Sequence, residues 1–119
     1  SHKFCPEQDC AFTFASPSPL HNDRTNVFRR NWAEAAKGCA LAYNGKNDLL
    51  SKEYLASTKK YQEKTGSFTS RAWVETLPNC WVSICCEFGY SRCNGIYSQE
   101  GGRELGHSIL KAAVRTVKQ

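Results

Sequence analysis

Residues 80–88 read Cys-Trp-Val-Ser-Ile-Cys-Cys-Glu-Phe, and the conformation of this stretch decides the fold class. Val82, Ile84, Cys86 and Phe88 alternate with Trp81, Ser83, Cys85 and Glu87. That is the period of two of a β-strand, so the first set is expected to face a core and the second to face away. Gly89 ends the pattern. Upstream, Phe68 to Leu77 is the expected neighbouring strand, joined across Pro78 and Asn79, where proline presets one dihedral of a turn. Trp73 and Trp81 would then meet across the two strands. Further out, Cys10 to Ala15 alternates around Phe12 and Phe14 as a half-buried strand does, and the two prolines within Ser16 to Pro19 end it. Downstream, Cys93 to Ile96 carries an Asn-Gly pair and reads as a hairpin or short return leading to Tyr97.

Helices account for most of the rest. From Asn26 to Tyr43 the side chains of Phe28, Trp32, Ala35, Ala36, Cys39 and Tyr43 recur every three or four residues, the stripe of an amphipathic helix. Thr25 or Asn26 would cap it, and Asn44 with Gly45 would stop it. A final helix is expected from about Arg103 to Val117, after Gly101 and Gly102. Leu105, Ile109, Ala112, Ala113 and Val117 would lie on one side, with Lys111, Arg115 and Lys118 on the other. Between them, Asp48 to Lys64 has a weaker pattern through Leu50, Tyr54 and Tyr61, begun by Asn47 or Asp48 and closed by Gly66. It reads as a helix or a structured surface loop. This order implies an α+β fold, an antiparallel sheet of three to four strands with two main helices on one face.

The chain of 119 residues fits a single domain spanning 1–119. Residues 1–4 are expected to be flexible and in part a cloning remnant. Hydrophobic residues make up 40% and charged residues 23%, ordinary globular usage and unlike a disordered chain. Seven cysteines (Cys5, Cys10, Cys39, Cys80, Cys85, Cys86 and Cys93) are many for this length and point to a disulfide-stapled domain from an oxidising compartment. Seven is odd, so one thiol is left over, and the sequence leaves the pairing open. Adjacent Cys85 and Cys86 would face opposite sides of a strand and serve different partners. Cys39, on the helical stripe, would bolt the first helix to the sheet. Zinc is disfavoured: Cys5 and Cys10, like Cys80 and Cys85, have four residues between them, but no Cys-x-x-Cys occurs and neither His21 nor His107 has a nearby histidine. The absence of methionine fits a mature form released from a signal peptide, hence secretion. No stretch approaches the roughly 20 apolar residues of a membrane span.

A net charge of +5 favours acidic partners without demanding them. The basic residues are scattered, without the dense block or aromatic interleaving of RNA-binding proteins, so nucleic acid is not the expected partner. His21 and His107, with Glu75, Glu87, Glu100 or Glu104, are the acid–base pair that a secreted ribonuclease would need, and they keep that alternative open. No nucleophile elbow and no cofactor motif is present, and neither catalysis nor a cofactor is expected. The candidate partner surface is basic. It comprises Arg29, Arg30 and Lys37 on the first helix, around Asn31, and Lys111 and Arg115 on the last.

Cys80-Trp-Val-Ser-Ile-Cys-Cys86, Gly89-Tyr-Ser-Arg-Cys93, Gly101-Gly-Arg-Glu-Leu-Gly-His-Ser-Ile-Leu110 and Cys39 together resemble the small cysteine-rich secreted effectors of plant-pathogenic ascomycetes. The likeness extends to the paired avirulence effectors of the blackleg fungus and their Fusarium secreted-in-xylem relatives. It covers most of the chain but rests on cysteine number and element order more than on a diagnostic motif. It implies a ferredoxin-like sandwich, no enzymatic activity, association with a second secreted effector as a heterodimer, and recognition by a plant resistance protein. The protein would act in the apoplast or after translocation into host cells. Killer-toxin-like proteins share such sandwiches, which adds an antimicrobial toxin as a further alternative.

Overall fold

The computed structural model describes residues 11–39, 43–46, 48–66, 69–88 and 98–119. Cys5, Cys10, Cys93, the expected hairpin at 93–96 and the expected flexible residues 1–4 lie outside them. In chain order the elements are β1 (Phe12–Thr13), α1 (Pro19–Ala35), α2 (Lys52–Thr65), α3 (Ser70–Glu75), β2 (Cys86–Glu87) and α4 (Gln99–Val117). The four helices hold most of the described residues. The expected sheet of three to four strands is therefore corrected to one antiparallel pair, Phe12 opposite Glu87 and Thr13 opposite Cys86, with a parallel bridge from Phe14 to Leu49 on the other side. Among the described residues neither a ferredoxin-like nor a killer-toxin-like sandwich is built.

The correction has a local cause in residues 69–80. The Thr69 side chain accepts from the Ala72 amide at 3.2 Å, capping a helix where a strand was expected. Arg71 and Glu75, four apart, close an ion pair of 2.7 Å that only a helical turn can make. Trp73 consequently stands exposed on α3 rather than opposite Trp81. With α3 in place the 80–88 run has no strand beside it on that side. Its carbonyl at Trp81 accepts from the Arg24 guanidinium at 3.0 Å, and the Ser83 hydroxyl donates to the Arg71 carbonyl at 3.1 Å. The alternation nevertheless holds in part, because Ile84 and Cys86 pack against the core while Trp81 and Cys85 are exposed. Phe88, assigned to the inner face, is exposed as well.

The first helix begins earlier than its apolar stripe suggested. Ser18 at the cap and Pro19 at the first helical position start it, so the prolines that end the strand also open the helix. Asn22 reaches back to bond both the Ser16 amide and the Ser16 carbonyl, fixing the corner. The helix closes at Ala36, followed by Gly38 at φ +81°, a backbone region glycine adopts without strain. Tyr43 is thus not a further turn of α1. It returns over the helix and stacks on Trp32, with ring centroids 4.0 Å apart and planes 6° from parallel.

Trp32 and Tyr43 centre a core completed by Ala11, Phe28, Ala36, Leu105 and Ala112. Beside it lies a buried polar hub. The Arg29 guanidinium donates to Thr13 Oγ1 at 2.8 Å, Thr25 Oγ1 at 3.0 Å, Asn26 Oδ1 at 2.8 Å and the Phe14 carbonyl at 3.0 Å. Asp48 accepts from the Thr13 amide at 2.7 Å and the Tyr43 hydroxyl at 2.6 Å, with its nearest oxygen 3.9 Å from Arg29 Nε. Buried charges persist only when satisfied in this way. Burial pulls the Arg29 guanidinium below its ordinary value, against the opposing pull of Asp48. Burial, then Asp48, pushes the Tyr43 phenol well above its own.

The expected disulfide staple is also corrected. Cys39, Cys80, Cys85 and Cys86 carry free thiols, and no disulfide is present among the described residues. Cys39 sits past the end of α1, where it bolts nothing.

Candidate binding surface on α1 and α4

α4, at 19 residues, is the longest helix described and packs along α1. Ser98 caps it by accepting from the Gly101 amide at 3.0 Å, so Gly101 and Gly102, expected as a lead-in, lie inside its first turns. Its inner face (Gly101, Leu105, Ser108, Ala112 and Thr116) is buried against α1. Trp32 Nε1 donates to Ser108 Oγ at 3.0 Å, and Asn31 Nδ2 donates to Thr116 Oγ1 at 3.0 Å. Ser108 and Thr116 of α4 therefore meet adjacent residues in the last turns of α1, while the Glu104–Lys111 stretch lies beside the end of that helix.

A period of 3.6 places Leu110, Val114 and Val117 on the face opposite this buried one. They are 62%, 43% and 78% exposed. Val117, expected on the core side, is the most exposed large apolar residue described. One edge of this outer stripe carries Lys111, Arg115 and Lys118, all exposed. The other edge runs through Ala113 and Ile109 into the core.

The basic residues expected to form a partner surface divide. Arg30, Lys37, Lys111 and Arg115 are exposed, with Lys37 and Lys111 together at the α1–α4 seam. Lys37 and Lys111 line one open cleft of about 290 Å³, together with His107 and Cys39. Arg30 and Lys37 line another of about 460 Å³, over Tyr43. Lys37 is held by Glu34 at 2.8 Å. Its hydrogen bond and charge pull the Glu34 carboxyl below the usual carboxylate range, and Arg115 adds a smaller pull the same way. Arg29 does not join them, because it is the buried hub of the fold, only 6% exposed.

The two histidines stand apart. His21 lies in the first turn of α1, where its Nδ1 shares a 3.0 Å hydrogen bond with Ser18 Oγ. His107 stands on α4 beside the other end of α1, and a helix of 17 residues separates those ends by about 25 Å. One acid–base site cannot use both. Burial, followed by their charged neighbours, pushes the thiols of Cys85 and Cys86 upward, away from the thiolate a nucleophile requires. Among the described residues no three His, Cys, Asp or Glu side chains gather to hold a metal ion. Nor is any helix there long and apolar enough to cross a membrane.

Sequence reasoning missed the outer stripe of α4, although its signal was present. Leu110, Val114 and Val117 are spaced i, i+4, i+7, and their register is offset from Leu105 and Ala112. It also placed Trp73 and Trp81 between strands. Both are exposed, and the Trp81 ring lies 5.4 Å from the Arg24 guanidinium carbon. Comparison with protein-family models, with curated proteins and with solved structures returns no match to this chain.

Proposed function

We propose that this protein acts by binding a protein partner and not by catalysis, with α4 as the anchor. The observation that carries the reading is the exposed Leu110–Val114–Val117 stripe edged by Lys111, Arg115 and Lys118. Three aliphatic side chains at i, i+4 and i+7 are what a helix offers to a hydrophobic groove, and a contiguous apolar patch rimmed by charge marks an interaction site. The basic edge calls for acidic residues on one rim of that groove. It also opposes antiparallel self-pairing, in which two such edges would face each other, so a different protein is the partner this reading takes. In keeping with the effector resemblance, we take it to be a second secreted effector met in or around host plant tissue. The sandwich fold implied by the same resemblance is not part of this reading.

Capture from fungal secretions and host extracts tests it with three variants. Leu110→Asp with Val114→Asp removes the stripe, Lys111→Glu with Arg115→Glu reverses the edge, and Lys59→Glu with Lys60→Glu on α2 is the control. A genuine partner is lost with both α4 variants, each weakening affinity by at least about 30-fold, the cost of one hot spot of about 2 kcal/mol. The α2 variant should retain it. Capture indifferent to both α4 pairs, in variants with unchanged circular dichroism, would refute the assignment.

A further inference from the structure

α2 is a helix without a core role. None of its residues is buried, and ring contact between its Tyr54 and Phe14, at 5.5 Å and 41°, joins it to the strand region. Under it, against α3 and the paired strands, lies a cleft of about 200 Å³. That volume suits one six-membered ring, since an apolar cavity of about 150 Å³ already holds benzene. The tilted faces of Phe14 and Tyr54 form an apolar wall. Thr58, Thr69 and Ser70 line the cleft as well, joined by Arg71 and Glu87.

The charges in this cleft oppose one another. Arg71 is engaged by Glu75 at 2.7 Å with both side chains nearly buried, and Glu87 supplies a separate carboxylate. Glu87 and Arg71 pull the Cys85 thiol in opposite directions, so both signs act within the cleft. An anion is disfavoured there, because Glu75 already compensates Arg71 and Glu87 remains as a hydrogen-bond acceptor. A plain hydrocarbon ring would strip water from these hydroxyls and charged groups without replacing its hydrogen bonds. A neutral ring with an apolar face and several hydroxyls satisfies both walls.

We propose that the cleft between α2, α3 and the β1–β2 pair binds one neutral pyranose sugar ring, free or as the terminal residue of a glycan. The ring packs on Phe14 and Tyr54 while its hydroxyls bond Thr58, Ser70 and Glu87. This site is separate from the α4 surface, and the two proposals stand or fall independently.

Cys85 lines the cleft and Cys39 the distant one at the end of α1, so one alkylation experiment carries its own control. Glucose, galactose, mannose and N-acetylglucosamine, then their disaccharides, are added during iodoacetamide labelling at alkaline pH, and each cysteine is read by mass spectrometry. At about nine times Kd a bound sugar slows Cys85 labelling about tenfold, by simple occupancy. Cys39 keeps its rate, Glu87→Gln abolishes the protection at unchanged melting temperature, and Tyr54→Ala abolishes it as well. A disaccharide that protects where its monomer fails identifies a glycan end as the source. The proposal is overturned if no sugar protects Cys85, if phenol protects and sugars do not, if Cys39 is protected equally, or if Tyr54→Ala leaves protection intact.

Discussion

Two neighbouring arginines show how much position outweighs residue type. Arg29 and Arg30 are adjacent on α1 and equally basic in the sequence, yet one faces inward and the other lines a surface cleft. Arg29 ties the β1 region to α1 through its four hydrogen bonds and reaches the Asp48 segment through an ion pair. Replacing it with methionine strands Asp48 as a buried, partly uncompensated charge, and urea unfolding should register a loss of about 3 to 5 kcal/mol. Arg30→Met should fall within about 0.5 kcal/mol of the parent, as surface substitutions do. Equal effects would mean that the two faces of α1 have been confused. The helical period does place Arg29, unlike Arg30, beside Phe28 and Trp32 on the inner stripe, but its partners at residues 13, 14 and 48 are supplied by the fold and not by the local sequence.

At the scale of elements, the legible parts were those whose signals are local. The inner stripe of α1 through Phe28 and Trp32, the closing of α2 at Gly66, and the inward facing of Ile84 and Cys86 all followed from periodicity or from a left-handed glycine. The ends were read less well. Ser18-Pro19 reads as a strand stop but is a helix start, and Ser98 caps α4 ahead of two glycines that suggest a loop. α3 was lost because Ala72 and Val74 fit period two as well as a helical turn, and the Arg71–Glu75 pair was not weighed. The exposure of Arg30, Lys37, Lys111 and Arg115 was legible in the sequence, whereas the apolar stripe beside the α4 cations is masked by assigning Val117 to the core. Because α2 buries nothing, its amides should exchange with deuterium well before those of α1 and α4. Protection of α2 equal to that of α4 would show that it is fastened by contacts stronger than the Tyr54–Phe14 pair.

For the molecule as a whole, the source of its stability changes. A cysteine-rich sequence suggested a small core held by cross-links. The structure instead relies on the Trp32–Tyr43 stack, the α1–α4 interface and the polar hub around Arg29 and Asp48. Thiol titration in denaturant without reductant should therefore return at least four reactive groups, from Cys39, Cys80, Cys85 and Cys86. A count of one, the value that three disulfides would leave, would reinstate the staple and undo the packing account. Reading cross-links from cysteine number fails here because number carries no geometry. A disulfide needs Cα atoms within about 7 Å, which only the fold can supply.

The hydrogen bond from Trp32 to Ser108 spans 76 positions of the chain. During synthesis at about 5 to 20 residues per second, α1 would wait roughly 4 to 15 seconds for the helix that covers its indole. Local contacts can form meanwhile, but the interior cannot close, so the polypeptide commits to its native state late and nearly all at once. Contacts this distant in sequence also slow the search for them. Until then Phe28 and Trp32 lie open to solvent and neighbouring chains, which makes shielding of the nascent polypeptide part of what this architecture demands of the cell that makes it.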